Sequence, residues 1–522
     1  MAAHADETGS QHYDVLIRGG TVYTGTLDPP IKQDVGIVGD RIKAIGNLDV
    51  YADKIINATN CIVTPGFIDI HTHTDLAFLR MSKLKPQAFE TPEWKGNHCY
   101  IHQGVTTVVT GNCGMGFTDT AKWLDQVNSF KFGTNVYHLM PHGAVRQELF
   151  GADQPQELSK NQLASFKSRI SDEMEKGAIG LSTGLEYPPG SLASTDELID
   201  LAKVVRRFGG IYTSHMRDES GKANVRGESG VISSIKEVIR IGDEAELPVQ
   251  ISHLKILLPF GTTNALQMIE LIESARGKGL DITADQYPYD ANSTTINYFL
   301  PDKIKTEVSV KPEYKTELGK EKLREAIKEV FRYFPPEKWI ICEGEYAGEN
   351  LKQIGSKRQQ EPADIYVELV IREVAPLGIF FTQDMDFIKQ LASHDYVFTA
   401  SDGWTHPSAF GIKAHPRLFG TFIKKIRQFA MDEKIMNMTD VIRSMTSLPA
   451  SKIGVKKRGM IVEGNYADIA VIDLNKIEAP ATYEISEVFS LGVVYLFVNG
   501  IMEIENGKAT ENRGGRALKR SD

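Results

Sequence analysis

The sequence predicts an α/β protein: a (β/α)8, TIM-like barrel carrying a small β-sandwich domain built from both termini, with an insertion between strands 7 and 8. Two observations carry this. Eight short apolar runs each end in a polar residue: Phe67–His71, Val105–Thr110, Val136–His142, Ala178–Ser182, Ile211–His215, Val249–His253, Leu280–Asp285 and Val397–Asp402. The first seven start roughly 30 to 43 residues apart, the length of one βα unit, and eight such units make a barrel. The second observation is that both ends of the chain read as β structure.

At the N-terminal end, Tyr13-Asp-Val-Leu-Ile-Arg18 precedes Gly19-Gly20, and Asp34-Val-Gly-Ile-Val38 meets Arg41-Ile-Lys-Ala-Ile45 across Gly39-Asp40, a hairpin signal. At the C-terminal end, Ala467–Asp473 and Val493–Val498 are strands, and Asn499-Gly500 is a turn. The domains are therefore expected at 1–64, 65–445 and 446–522, the outer two forming one β unit. The insertion is expected at about 297–362, a charged stretch holding Lys311-Pro312 and Pro335-Pro336, as a lid or subdomain.

Composition excludes several classes. The chain has 522 residues, 41% hydrophobic and 24% charged, enough to bury a core without disulfides. Its net charge of −9 gives no support to nucleic-acid binding. Four cysteines fit a reducing, cytoplasmic compartment and not a disulfide scaffold. The polar start Met1–Gln11 has no apolar core of a signal peptide, and no run of 18 apolar residues is present, so no membrane partner is expected.

In a barrel, residues at the C-terminal ends of strands point into the mouth. Those ends carry His71 and His73, then Cys113, His215, His253 and Asp402. Imidazole, thiolate and carboxylate are the donor set for Zn²⁺. The alternation His71-Thr-His73 puts two imidazoles on one side of an extended strand. Cys113 sits in Thr110-Gly-Asn-Cys-Gly-Met-Gly116, whose glycines allow a tight turn. It reads as a metal ligand, with a nucleophile or a buried filler as alternatives.

These residues lie in longer motifs. Pro65-Gly-Phe-Ile-Asp-Ile-His-Thr-His-Thr-Asp75 resembles the strand 1 signature of the amidohydrolase superfamily. Gly111-Asn-Cys-Gly114, Ser214-His-Met-Arg217, Ser252-His-Leu-Lys255 and Ala400-Ser-Asp-Gly403 resemble the D-aminoacylase (N-acyl-D-amino-acid deacylase) branch. Thr446–Ala450, Lys457–Gly459 and Gly464–Asp468 are similar to the stretch that closes the superfamily's β-sandwich. The resemblance implies one tight zinc held by Cys113, His215 and His253, and a second, weaker metal position at His71 and His73. Many amidohydrolases bridge two metals with a lysine on strand 4. Ala178–Glu186 has none at its end, and Cys113 takes that ligand's place. The resemblance also makes Asp402 the general acid/base, and it places Lys255, Tyr187 and Tyr287 around a small-molecule substrate. Arg417 offers a bidentate fork to a carboxylate.

The expected activity is zinc-dependent hydrolysis of N-acyl-D-amino acids. A cyclic amidase of the dihydropyrimidinase or hydantoinase type is the alternative, weakened by the missing strand 4 lysine. A binding protein that has lost its activity would lack ligands that are all present here.

Overall fold

Short β-branched runs buried on both faces become parallel strands when helices cover them, and the middle of the chain is built from such runs. The computed structural model describes residues 12–151, 154–222, 227–257, 265–301, 304, 308 and 311–520. The segment Met1–Gln11 and several positions of 297–362 therefore lie outside the described residues. Strands β1 (Phe67–Asp69), β2 (Val105–Thr110) and β3 (Asn135–His138) form one parallel sheet. Strands β4 (Gly180–Gly184), β5 (Ile211–His215), β6 (Val249–Ile251), β7 (Ile282–Gln286) and β8 (Val397–Thr399) form a second, all parallel, with Met140–Pro141 as its sixth strand beside β4. The apolar runs read from the sequence fall on these eight strands.

The two sheets meet at both edges. Ile179 N–H donates to His138 O at 2.9 Å beside β3 and β4. Beyond β1 and β8, Asp402 N–H donates to His71 O at 3.0 Å and His73 N–H to Gly403 O at 2.7 Å. Helices Lys160–Lys176, Thr195–Arg207, Gly230–Ala245 and Ala265–Gly277 connect β3 to β7 in turn and share one apolar core with the strands. Their limits follow from local chemistry. Ser159 and Gln162 form a capping box and Gly177 ends that helix at φ 119°. The next helix starts on the Ser194 cap with Asp196 and Glu197 in its first turn and ends on Arg206 and Arg207, each charge opposing the helix dipole.

The two ends of the chain join in one nine-stranded sheet. A two-sheet sandwich is the expectation; the hydrogen bonds make a single sheet. The reason is the long strand His12–Val22, whose register shifts between Ile17 and Gly20. Its first half pairs with Tyr51–Asn57 and its last residues with Ile62–Pro65, so one strand serves both layers. The sheet curls enough for Lys54 to reach Met502 Sδ at 3.7 Å, and Ile56 and Phe497 share one core. The hairpin Val493–Glu505 turns at Asn499 and Gly500, both at positive φ (51° and 77°), as a two-residue hairpin turn requires.

Between β7 and β8, Asn292–Thr295, Trp339–Ile341 and Leu377–Phe380 form an antiparallel sheet covered by Glu317–Phe331, Leu351–Arg358 and Pro362–Val370. Its own core centres on the buried Trp339. This sheet uses residues on either side of the expected 297–362 span. No helix among the described residues is long and apolar enough to cross a membrane.

The terminal sheet is tied to β3 by a buried charge network. Arg458 pairs with Asp468, which also accepts from Asn499 N–H at 2.7 Å and from Asn135 Nδ2 at 3.3 Å. Breaking a buried pair leaves an uncompensated charge, so Asp468→Ala should destabilise the protein by about 3–5 kcal/mol in chemical denaturation. A loss below about 1 kcal/mol would show that the network is dispensable.

Candidate metal centre and active site

The strand ends converge on one cavity of about 270 Å³ lined by His73, Cys113, His215, His253, Lys255 and Asp402 among others. Each arrives through a local device. Cys113 sits in a one-turn 3₁₀ segment at φ 54°, pinned by Asn112, whose Nδ2 donates to Val109 O at 3.0 Å and Ile70 O at 3.3 Å. This loop lies directly on β4, and a Cβ on Gly184 would stand 2.1 Å from Cys113 O. His253 and Asp402 also have left-handed backbones, φ 35° and 49°. Such conformations cost about 1–3 kcal/mol each in non-glycine residues and collect at functional sites. Asp69, wholly buried, accepts from His71 N–H at 3.2 Å and Ser401 N–H at 3.1 Å, so one carboxylate joins the turns after β1 and β8. Burial pushes it up to about 7, the hydrogen bonds from Ser401 and His71 offsetting only part of that.

The imidazoles are aimed by buried partners. His71 presents Nδ1 to Asp285 Oδ1 at 3.0 Å and Nε2 to Cys113 Sγ at 3.3 Å. His253 presents Nδ1 to Glu219 Oε1 at 3.0 Å and to Lys255 Nζ at 2.8 Å, and its Nε2 lies 3.7 Å from Cys113 Sγ. His215 turns Nε2 to Glu186 Oε2 at 3.2 Å, and His73 turns Nε2 to Asp402 Oδ1 at 3.0 Å. The remaining Nδ1 atoms of His215 and His73 are buried with no hydrogen-bond partner among the described residues. Carboxylates behind imidazoles are the usual support of metal-ligating histidines.

Three donor groups lie within 4.8 Å: His71 with Cys113 and His253, His71 with His73 and Asp402, and His215 with Glu219 and His253. The expected trio Cys113, His215 and His253 is spread over two of them, joined through His253. Electrostatics favour a cation here. Burial opposes the Cys113 thiolate, but the charge on His71 and the imidazoles of His215 and His253 outweigh it and hold the thiol well below its ordinary range. Burial likewise opposes charge on His73 and His215, yet Asp402 and Cys113 lift the first to about 9, and Glu219, Cys113 and Glu186 lift the second to about 10. A divalent ion supplies the same positive charge while the imidazoles stay neutral ligands. The donor set therefore fits zinc.

Asp402 is ionised. Burial works against this, but Arg417, His253 and His71 hold it far below the usual carboxylate range, and Arg417 Nη1 stands 2.9 Å from Oδ2. Of the residues expected around a substrate, Lys255, Tyr187 and Arg417 line the cavity. Lys255 is engaged with Glu219 at 2.8 Å. Tyr287 lies behind the cavity wall, its ring 4.6 Å from the Arg417 guanidinium carbon and its hydroxyl accepting from Gln383 at 3.1 Å. Sequence reasoning missed Glu219 and Asp285 and left Glu186 without a role. Glu219 follows His215 by four residues, and Asp285 ends the seventh apolar run, which were the available signals. Tyr298, from the segment between β7 and β8, was also missed: its hydroxyl donates to Glu186 Oε1 at 2.5 Å.

A profile of the Amidohydrolase family matches residues 371–501. D-aminoacylase of Alcaligenes xylosoxydans xylosoxydans is 29% identical over 99% of this chain and 99% of its own length. N-acyl-D-glutamate deacylase of the same organism is 28% identical over 97% and 96%. The crystal structure of N-acyl-D-glutamate deacylase from Bordetella bronchiseptica, complexed with zinc and a phosphonate inhibitor that mimics the tetrahedral intermediate, superposes with a TM-score of 0.80 at 26% identity, covering 98% of this chain and 100% of that one. Because Glu186 holds the ring of His215, a candidate ligand, Glu186→Gln should weaken the binding of added zinc about 10- to 100-fold, read by competition with a chromophoric chelator; unchanged affinity would remove Glu186 from the support of the candidate centre. Residues 371–501 thus match the Amidohydrolase family, and the chain is similar over nearly its whole length to D-aminoacylase and N-acyl-D-glutamate deacylase.

Proposed function

We propose that this protein is a zinc-dependent N-acyl-D-amino-acid deacylase, a metal-dependent amidohydrolase that cleaves a linear amide to a carboxylate and a D-amino acid. The observation that carries this reading is the buried Cys113 sulfur facing His71 and His253, with Asp402 against His71 and His73, in a single cavity. Its scaffold is a closed (β/α)8 barrel, a reading supported by the backbone hydrogen bonds that bridge β3 to β4 and the β1 end to the β8 end. The terminal sheet shared by both ends of the chain supports the domain division 1–64, 65–445 and 446–522. All four cysteines are free, which suits a reducing, cytoplasmic setting.

Cys113, His215 and His253 hold one tight zinc, and His71 and His73 offer a second, weaker position. The buried, unpartnered Nδ1 of His215 and of His73 support both assignments. When bound, zinc polarises a carbonyl oxygen and lowers the pKa of a water to about 7. Asp402 would be the base that takes a proton from water and the acid that delivers it to the leaving amine; its Oδ1 lies 3.4 Å from His71 Nε2. Arg417 holds Asp402 ionised and, with Lys255 and Tyr187 on the cavity wall, holds the substrate's α-carboxylate. Tyr287 positions Arg417 from behind. The amide, the carboxylate and the side chain fix three points, so one enantiomer alone presents its carbonyl correctly.

Zinc-loaded protein should hydrolyse N-acetyl-D-methionine or N-acetyl-D-leucine at least about 10²-fold faster than the L forms, since a displacement near 1 Å costs that much. Equal D and L rates would sink the assignment, and preferential opening of hydantoin or dihydrouracil would establish a cyclic amidase instead. Asp402→Asn should retain fold and zinc while losing about 10² to 10⁴-fold in turnover. Turnover within about threefold of the parent would take proton transfer away from Asp402.

A further inference from the structure

The charged groups lining the cavity are Arg80, Glu219, Lys255, Glu343, Asp402 and Arg417. Four of them cancel in pairs. Arg417 stands 2.9 Å from Asp402, and Lys255 stands 2.8 Å from Glu219. Arg80 is exposed at the rim, where solvent and salt screen it. Glu343 differs from all of these. It follows the strand Trp339–Ile341 in the segment between β7 and β8, is half-buried, and among the described residues no cation pairs with it. One of its oxygens accepts from Leu377 N–H at 3.3 Å, which fixes the carboxylate against the wall.

The wall beside it is apolar. Leu377 and Ile412 pack on the cluster of Ala291, Cys342 and Ile379, and Met81, Met115 and Phe410 continue the lining. A hydrocarbon chain is favoured along this surface, and an uncompensated carboxylate stands at its Leu377 side. That arrangement attracts a cationic terminus and repels an anionic one, and repulsion is as effective a specificity device as attraction.

We infer that Glu343 is a specificity-determining residue that turns the enzyme away from acidic substrate side chains and toward long side chains ending in an amine or guanidinium, as in N-acyl-D-lysine or N-acyl-D-arginine. This rests on the deacylase reading. It sets this chain apart from a relative named for D-glutamate, with which it shares 28% identity.

The test is a comparison of kcat/KM for N-acetyl-D-lysine, N-acetyl-D-leucine and N-acetyl-D-glutamate in the zinc-loaded parent and in Glu343→Gln, with N-succinyl-D-leucine as a fourth substrate. The Lys:Glu ratio is read within one preparation, so partial loss of folded protein cancels. The parent should prefer lysine to glutamate, and Glu343→Gln should reduce the ratio about tenfold, the effect of one partly screened charge within the cavity. A parent that cleaves the glutamate substrate as well as the lysine one, or a ratio unmoved by the substitution, overturns the proposal. Selective gain on N-succinyl-D-leucine would place Glu343 against the acyl group and overturn the side-chain assignment. Cleavage of none of the four overturns the deacylase reading, and this proposal with it.

Discussion

Asp285 takes hydrogen bonds from three directions, and the centre depends on it. Its Oδ1 accepts from His71 Nδ1 at 3.0 Å and from His253 N–H at 2.7 Å, and its Oδ2 accepts from Gln250 Nε2 at 2.9 Å. His71 at the end of β1 and His253 at the end of β6 are thus oriented by one carboxylate at the end of β7. A buried carboxylate needs compensation for its lost hydration, and three donors supply it. The same bond that satisfies Asp285 turns His71 Nε2 onto Cys113. Glu219 does the equivalent for His253, with Lys255 as counter-ion, and Glu186 does it for His215.

The backbone bears the cost of this geometry. Cys113, His253 and Asp402 each occupy a left-handed conformation that a side chain resists. Packing over-determines them: Asn112 clamps the Cys113 turn, Asp285 holds the His253 amide, and the Asp402 amide donates to His71 O. Strain is therefore concentrated where the donors must converge, and it is offset by the parallel strands on either side.

The segment between β7 and β8 gives the cavity its individual character. It supplies Asn292 to Thr295, Tyr298, Glu343 and Leu377 to the wall, and Tyr298 ties it to Glu186 behind His215. The strand ends carry the chemistry, while this segment shapes what reaches it. A fold shared across many amide hydrolases can change substrate through such a segment without disturbing its donors.

The sequence by itself determined the strands and the donors. Apolar runs buried on both faces need no partner information to be recognised, and the polar residue that ends each run is local. His71, His215, His253 and Asp402 were legible for that reason, and His73 and Cys113 through the short motifs just past two of the runs. Pairing was not legible. The pairing of Lys255 with Glu219, the support of Arg417 by Tyr287 and the nitrogen that His71 turns to the thiol join side chains far apart in the chain, 36 residues for Lys255 and Glu219 and 214 for His71 and Asp285. The curl that makes one sheet from both termini likewise depends on a register shift between Ile17 and Gly20 that no periodicity records. Burial pattern is a property of each segment and is written in its residues; the partner of a buried charge is a property of the closed fold, because only packing decides which groups are shut away from water together.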